Sequence, residues 1–149
     1  MKRRIGVLAV SLAAFVAAVE PSVAQDLSGE WTFKRRAREG WHTGAIVVDW
    51  DGQVRQRGRS PLQNYSQCGH VVAADGKVEI VFTSVESSHG YSIDHFYCTV
   101  QGENALSCFN IDGIGKEHDL FRIERIGRTP ASPDGRMDDV CPARDRPQV

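Results

Sequence analysis

Apolar and polar residues alternate with a period of two along most of the chain between Leu27 and Ile126. This alternation is typical of β-strands with one buried and one exposed face, because successive side chains point to opposite sides of a strand. Turn-forming residues interrupt it at short intervals, and no amphipathic helical pattern separates the segments. The pattern predicts about eight strands, at residues 31–34, 44–49, 54–59, 68–73, 77–84, 91–100, 105–111 and 118–126.

Two predicted hairpins contain a glycine that fixes the register of their strands. In the hairpin between the second and third strands, a three-residue loop with a glycine bulge places Val48 opposite Val54 and so pairs apolar with apolar. The same arrangement at residues 74–76 predicts that Val72 lies opposite Val78.

Eight antiparallel strands in sequence order avoid exposed sheet edges most simply by closing on themselves. The sequence therefore predicts an all-β fold, an eight-stranded antiparallel up-and-down β-barrel over residues 25–126. A two-sheet β-sandwich has the same alternation and remains the alternative. Residues 127–149 are polar and rich in proline, which predicts an irregular C-terminal tail.

The first residues have the composition of a secretory signal peptide. Lys2, Arg3 and Arg4 precede the apolar run 5–19, and residues 22–24 supply small side chains before a cleavage point. The run is short for a transmembrane helix. We expect residues 1–24 to be a signal peptide, a mature chain that is periplasmic or secreted, and no membrane span.

The net charge argues against a nucleic-acid partner. Removing the signal peptide takes away three basic groups and one acidic group, so the net charge changes from −1 to −3, whereas nucleic-acid binding needs a strongly basic surface. Residues 34–36 with Arg38 are expected to form a solvated basic loop, and a site for an anionic partner is the alternative. Arg55, Arg57 and Arg59 fall on one side of a strand and are expected to face water.

Four cysteines without C-x-x-C spacing in an exported chain predict disulfide bonds rather than a metal site. Cys98 and Cys108 flank a predicted turn, so they are expected to face each other on neighbouring strands. That pairing leaves Cys68 bonded to Cys141, which would attach the tail to the barrel wall. A bond from Cys68 to Cys98 or Cys108 stays open as the alternative.

No pattern indicates catalysis or metal binding. A composite metal site from His70 and His95 is the alternative to ordinary hydrogen-bonded histidines, and no closely spaced histidine motif is present. The serines lack the G-x-S-x-G context of a nucleophile, and the paired carboxylates fall in a turn and in the tail. We therefore expect no catalytic residue, no metal and no cofactor, and a protein that is not an enzyme.

Aromatic side chains are the candidate ligand-binding residues, because several fall on neighbouring predicted strands and would line a cavity for an apolar or planar molecule. A filled core is the alternative, since the interior of an eight-stranded barrel is only just wide enough for side chains. Trp41 and His42 are expected in the first long loop, where an exposed aromatic ring serves recognition. The candidate ligand-binding residues are Trp31, Phe82, Tyr91, Phe96, Tyr97 and Phe109.

The segment Asp26-Leu27-Ser28-Gly29-Glu30-Trp31 resembles the L-S/T-G-x-W opening of calycin-type barrels. Lipocalins, avidins and small bacterial inhibitors of secreted metalloproteases share versions of this opening, and its tryptophan plugs one end of the barrel. The resemblance implies a barrel and a binding function. The lipocalin T-D-Y segment is absent, and Trp31, Trp41 and Trp50 all lie near the first hairpin, unlike the tryptophans of a biotin pocket.

Three functions follow from these expectations. The first is a secreted or periplasmic, non-enzymatic binding protein whose partner is a small apolar molecule or a protein. The second is an inhibitor of secreted proteases; in that family an N-terminal arm enters the protease, whereas here only Gln25 and Asp26 precede Leu27 in the mature chain. The third is an envelope-associated structural protein that contacts other surfaces through its tail or its basic loop.

Overall fold

The computed structural model describes residues 25–116, 119–129 and 141. The predicted signal peptide, His118 and most of the predicted tail lie outside these ranges. All regular structure within them is β-strand, which confirms the predicted all-β class. The strands are β1 (Gly29–Ala37), β2 (Gly40–Val48), β3 (Gln53–Arg59), β4 (Asn64–Ala74), β5 (Lys77–Ser87), β6 (His95–Val100), β7 (Ala105–Asn110) and β8 (Phe121–Gly127).

Each strand pairs antiparallel with the next, and the last strand returns to the first. Phe33 of β1 lies opposite Ile123 of β8, and Lys34 lies opposite Arg122. The sheet is therefore a closed up-and-down barrel without free edges, as predicted, and it is not a two-sheet sandwich.

The register predictions have different outcomes at the two hairpins. Val48 lies opposite Val54, as predicted. The prediction for the second hairpin is wrong, because Val72 lies opposite Glu79 and Ala73 lies opposite Val78. The turn there has two residues, both with positive φ, 51° at Asp75 and 72° at Gly76. An Asp-Gly pair adopts this type I′ turn readily, so the hairpin needs no bulge.

Strands β1 and β2 are longer than the pattern predicted. The basic residues 34–36 lie within β1, and Trp41 and His42 lie within β2. The expected solvated loop is therefore wrong for residues 34–36, and the expected loop position of Trp41 and His42 is also wrong. β6 is shorter than predicted and begins at His95, so Tyr91 lies in the loop before it.

The barrel interior has an apolar half and a polar half. The apolar half fills the end where the chain enters β1, and the polar half lies toward the β1–β2, β3–β4 and β5–β6 connections. The apolar core is built mainly from Leu27, Trp31, Phe33, Ile46, Val48, Val54, Val78, Ile80, Phe82, Phe96, Leu106, Phe121 and Ile123. The buried polar side chains of the other half include Arg35, His42, Gln56, Gln67, Asp94 and Asn110.

Two disulfide bonds connect the cysteines as the preferred pairing predicted. Cys98 and Cys108 lie opposite each other on β6 and β7 with their Cα atoms 4.0 Å apart, and both point into the core. Cys68 bonds to Cys141, with a Cα separation of 5.6 Å. Since Cys68 lies between the buried positions Gln67 and Gly69 on β4, its bond attaches Cys141 to the outer wall.

Candidate functional site

Trp31 closes the apolar end of the barrel. Its indole Nε1 donates a hydrogen bond of 2.9 Å to the backbone carbonyl of Leu27. The guanidinium carbon of Arg125, on β8, lies 4.4 Å from the centre of the indole ring, and Arg125 also donates to the backbone carbonyl of Asp26. The hydrogen bond and the cation–π contact fix the segment before β1 across this end.

The apolar half has almost no free space. A cavity there has a volume of about 10 Å³ and is lined only by apolar side chains, among them Trp31, Ile46 and Leu106. A cavity of this size holds about one water molecule at most. The apolar half is therefore a packed core.

The six candidate ligand-binding aromatics lie in three places. Trp31, Phe82 and Phe96 are buried in the core, where the rings of Phe82 and Phe96 meet edge to face at 5.4 Å. Tyr91 lies at the polar end. Tyr97 and Phe109 lie on the outer face, because they alternate with buried neighbours, and their rings stack at 5.2 Å. The structure does not bring the six together around one cavity.

The polar half is organised around the carboxylate of Asp94, which is 1% exposed. Arg35 donates to its Oδ1 over 2.9 Å, and Asn110 donates to the same oxygen. Gln67 and Tyr91 donate to Oδ2 over 2.8 Å and 3.0 Å. Gln67 also accepts a hydrogen bond from the backbone N–H of Asp94. Three strands and the β5–β6 loop thus converge on one buried carboxylate.

Arg35 is the buried cation that balances Asp94, and its side chain is 2% exposed. Burial is the largest single effect and disfavours its charge, but Asp94 together with Tyr91 and Tyr65 outweighs burial, and the pKa of Arg35 is raised above its ordinary value. Its Nη2 also donates to the hydroxyl of Tyr91. Its Nε and Nη1 groups have no hydrogen-bond acceptor within the described parts of the chain.

Two tyrosines and a histidine extend this network toward the rim. Tyr65 and Tyr91 stack with their ring centres 3.8 Å apart. Burial raises the pKa of Tyr65 to about 12 and also raises the pKa of Tyr91, so both hydroxyls stay protonated. His42 Nδ1 lies 3.4 Å from the Tyr65 hydroxyl, and His42 Nε2 lies 2.6 Å from a carboxylate oxygen of Glu39.

Burial, with the nearby charge of Arg35, lowers the pKa of His42 although Glu39 favours its charged form. The imidazole is therefore neutral near pH 7, and the network assigns its proton to Nε2, which donates to Glu39. Burial alone would raise the pKa of Glu39, but hydrogen bonds from its own backbone and from His42 lower it. Glu39 is about a third exposed and connects the buried network to solvent.

The donors and acceptors of this cluster mostly bond one another, and most of its side chains are buried. No group of three potential metal ligands occurs in residues 25–116, 119–129 and 141, and none of these residues forms a helix long and apolar enough to cross a membrane. The cluster holds the polar ends of the strands together.

The sequence reasoning missed Arg35, Tyr65, Gln56, Gln67 and Asn110 as members of this cluster. Strand parity was the available signal for Arg35, since Trp31, Phe33 and Arg35 alternate along β1 and point to the same side. Arg55 was also expected to face water; its side chain is buried, and it donates to Asp49 over 2.8 Å. Arg57 and Arg59 are exposed as predicted.

The exposed surface at the polar end combines apolar and basic side chains. Trp41, Leu62 and Leu120 are 52%, 69% and 74% exposed. The Nζ atom of Lys34 lies 4.6 Å from the centre of the Trp41 ring, and the guanidinium carbon of Arg36 lies 5.9 Å from it. We call this surface the rim patch; it comprises Lys34, Arg36, Trp41, Arg59, Leu62 and Leu120.

An open groove of about 470 Å³ adjoins the rim patch on the outer surface of β2, β3 and β4. Its polar lining includes Thr43, Arg59, Asn64 and Ser66. Across its floor Gly44 lies opposite Gly58. The groove is wide and open, in contrast to the filled interior.

Comparisons with known proteins add little beyond the fold. No protein family and no curated protein matches the chain. One similar solved structure is a de novo designed fluorescence-activating β-barrel, which is 16% identical. The match covers 68% of this chain and 95% of the designed chain, with a TM-score of 0.48. The closed barrel is consistent with the calycin resemblance, and no family is established.

Proposed function

We propose that the protein is a secreted or periplasmic, non-enzymatic binding protein that contacts its partner with the outside of the barrel. The filled interior is the observation that carries this proposal. The apolar half has a cavity of about 10 Å³, and the polar half is occupied by the Asp94 network. Sites for small molecules usually have volumes of roughly 300–1,000 Å³. The outer surface is therefore favoured over an internal apolar ligand.

Two further observations support export and external binding. The disulfides Cys68–Cys141 and Cys98–Cys108 suit an oxidising compartment. The residues that an inhibitor would use as an arm are held against the barrel end, since Gln25 bonds to the backbone of Gly102 and Arg125 bonds to that of Asp26. This contact favours general surface binding over protease inhibition.

The proposal is tested by offering apolar ligands to the folded protein, from benzene to a long-chain fatty acid, and recording the methyl NMR signals of the core. We expect the signals of Ile46 and Ile123 not to shift in the natural protein. The variant Leu106→Ala is the positive control, because it enlarges the cavity that both isoleucines line, and enlarged apolar cavities of this kind bind benzene. Saturable shifts in the natural protein would show an internal site and overturn the proposal.

A further inference from the structure

We propose that the rim patch binds the surface of a membrane that contains anionic phospholipids, with the barrel lying on the membrane rather than crossing it. This inference rests on the proposed function, since it names the partner of the outer surface. It is drawn from three features of the patch, which are its exposed apolar side chains, its basic row and its charge relative to the whole chain.

The exposed apolar side chains stand close together although they come from separate parts of the sequence. Gly40 directly precedes Trp41, and Pro61 directly precedes Leu62. The Pro61 ring lies against Gly40, as shown by the 2.8 Å that would separate the ring from a Cβ atom added to Gly40. Leu120 lies two residues before Arg122, which pairs with Lys34. Leu120 directly precedes β8, so it lies at the same end of the barrel as Arg36, which pairs with Trp41 on β2.

A row of basic side chains lies directly behind these apolar side chains. Lys34 is flanked by Arg122 on β8 and by Thr43 on β2, and Thr43 lies opposite Arg59 on β3. The pleat points all four side chains outward, since they alternate with buried residues. Arg122 is paired with Glu124 over 2.7 Å. Lys34, Arg36 and Arg59 are exposed on the same surface.

The charge of this surface is opposite to that of the whole chain. The full sequence has a net charge of −1, whereas basic side chains dominate the rim patch. Among the residues that the structure describes, the nearby carboxylates include Glu39, which is hydrogen-bonded to His42, Glu124, which is paired with Arg122, and Asp119. A locally basic surface on an acidic protein fits a partner with a dense negative surface.

An anionic membrane fits this combination better than an acidic protein does. The apolar side chains Trp41, Leu62 and Leu120 are exposed, and none of them lines the neighbouring groove. Tryptophan favours the level of lipid headgroups, and basic residues beside it are attracted to anionic lipid. Trp41, with Lys34 and Arg36 against its ring, has this arrangement.

The test measures partitioning of the purified exported protein onto vesicles by flotation. The vesicles consist of phosphatidylcholine alone or of phosphatidylcholine with about one-third phosphatidylglycerol. We expect binding only to the anionic vesicles, and the double variant Lys34→Gln/Arg36→Gln to bind about 25-fold more weakly, at roughly fivefold per removed charge. Trp41→Ala is expected to bind several-fold more weakly, because it removes the apolar anchor.

The control variant Lys77→Gln/Arg128→Gln removes the same charge from the opposite end of the barrel. It is expected to bind vesicles within about twofold of the natural protein. The two removed charges lie at the end of the barrel away from the rim patch, and salt screens a charge over roughly 10 Å. The two exposed tryptophans give a second readout. In Trp50→Phe, anionic vesicles are expected to shift the emission of Trp41 to shorter wavelength, whereas in Trp41→Phe they are expected to cause no shift.

Several outcomes would overturn the inference. These are equal binding to both vesicle types, no binding to either, and equal losses in the rim and control variants. Tighter binding to immobilised polyglutamate than to anionic vesicles would assign the rim patch to an acidic protein. Displacement by inorganic phosphate, beyond the effect of chloride at equal ionic strength, would indicate a site for free phosphate. Each of these results leaves the proposed function standing, which only an internal ligand contradicts.

Discussion

Replacing Asp94 by asparagine is expected to destabilise the barrel strongly. The substitution keeps the size of the side chain but removes the charge that balances Arg35, and both side chains are at most 2% exposed. The new amide N–H₂ group cannot accept a hydrogen bond. It takes the place of one carboxylate oxygen, either the one that accepts hydrogen bonds from Gln67 and Tyr91 or the one that accepts them from Arg35 and Asn110.

Removing one partner of a buried ion pair costs about 3–5 kcal/mol, because the other charge stays buried and unpaired. A domain of this size has a total free energy of unfolding of roughly 5–15 kcal/mol. The melting temperature of Asp94→Asn should therefore fall by at least about 12 °C, at roughly 4 °C or more for each kcal/mol. The free energy of unfolding is measured by urea denaturation, followed by circular dichroism with both disulfides intact.

Two further variants keep this prediction testable. Glu103→Gln breaks the pair with Arg128, whose side chains are 81% and 60% exposed, and it should change the stability by no more than about 0.5 kcal/mol. The double variant Arg35→Met/Asp94→Asn removes both charges and should recover part of the loss, since no unpaired charge remains. A loss in Asp94→Asn as small as that in Glu103→Gln would refute the reasoning, as would a double variant less stable than Asp94→Asn alone.

Three other predictions concern the polar half and the core. Gly58→Ala should lose about 1–3 kcal/mol of stability in urea denaturation, because the new methyl group would overlap the buried ring of Tyr65; unchanged stability would contradict the packing. The pKa of His42 is lower in the folded protein than in the unfolded chain, so below about pH 6.5 the unfolded chain binds a proton more readily. The free energy of unfolding should therefore decrease as the pH falls from about 6.5 toward the pKa of His42 in the folded protein. His42→Gln should flatten this dependence, and an equal slope in both proteins would contradict it. Cys98→Ala/Cys108→Ala should lose about 3 kcal/mol, the value expected for a bond that closes a loop of 10 residues, and an unchanged urea midpoint would contradict that value.

The barrel and much of its register could be predicted because local signals determine them. Alternation indicates which residues face inward, and short turns between successive strands leave closure as the simplest way to cover the edges. The hairpin at Val48 and Val54 was predictable because only one register pairs apolar with apolar. At Asp75-Gly76 no such contrast existed, and the turn conformation decided the register.

The polar half could not be predicted, because it depends on partners far apart in the sequence. Arg35 is 59 residues from Asp94, and a run of three basic residues resembles a solvated loop when that partner is unknown. Phe96 and Tyr97 could not both line an interior, since neighbours on a strand face opposite sides. The rim patch depends on strand order, since the segment that holds Leu120 comes beside the end of β1 only when β8 pairs with β1.

The most direct test of the account is the mass of the folded protein, purified from its own source and measured under non-denaturing conditions. The account predicts the mass of the polypeptide with the disulfides Cys68–Cys141 and Cys98–Cys108 and with no small molecule enclosed in the barrel. A stoichiometric apolar molecule that remains bound in the folded protein and is released only on unfolding would contradict it.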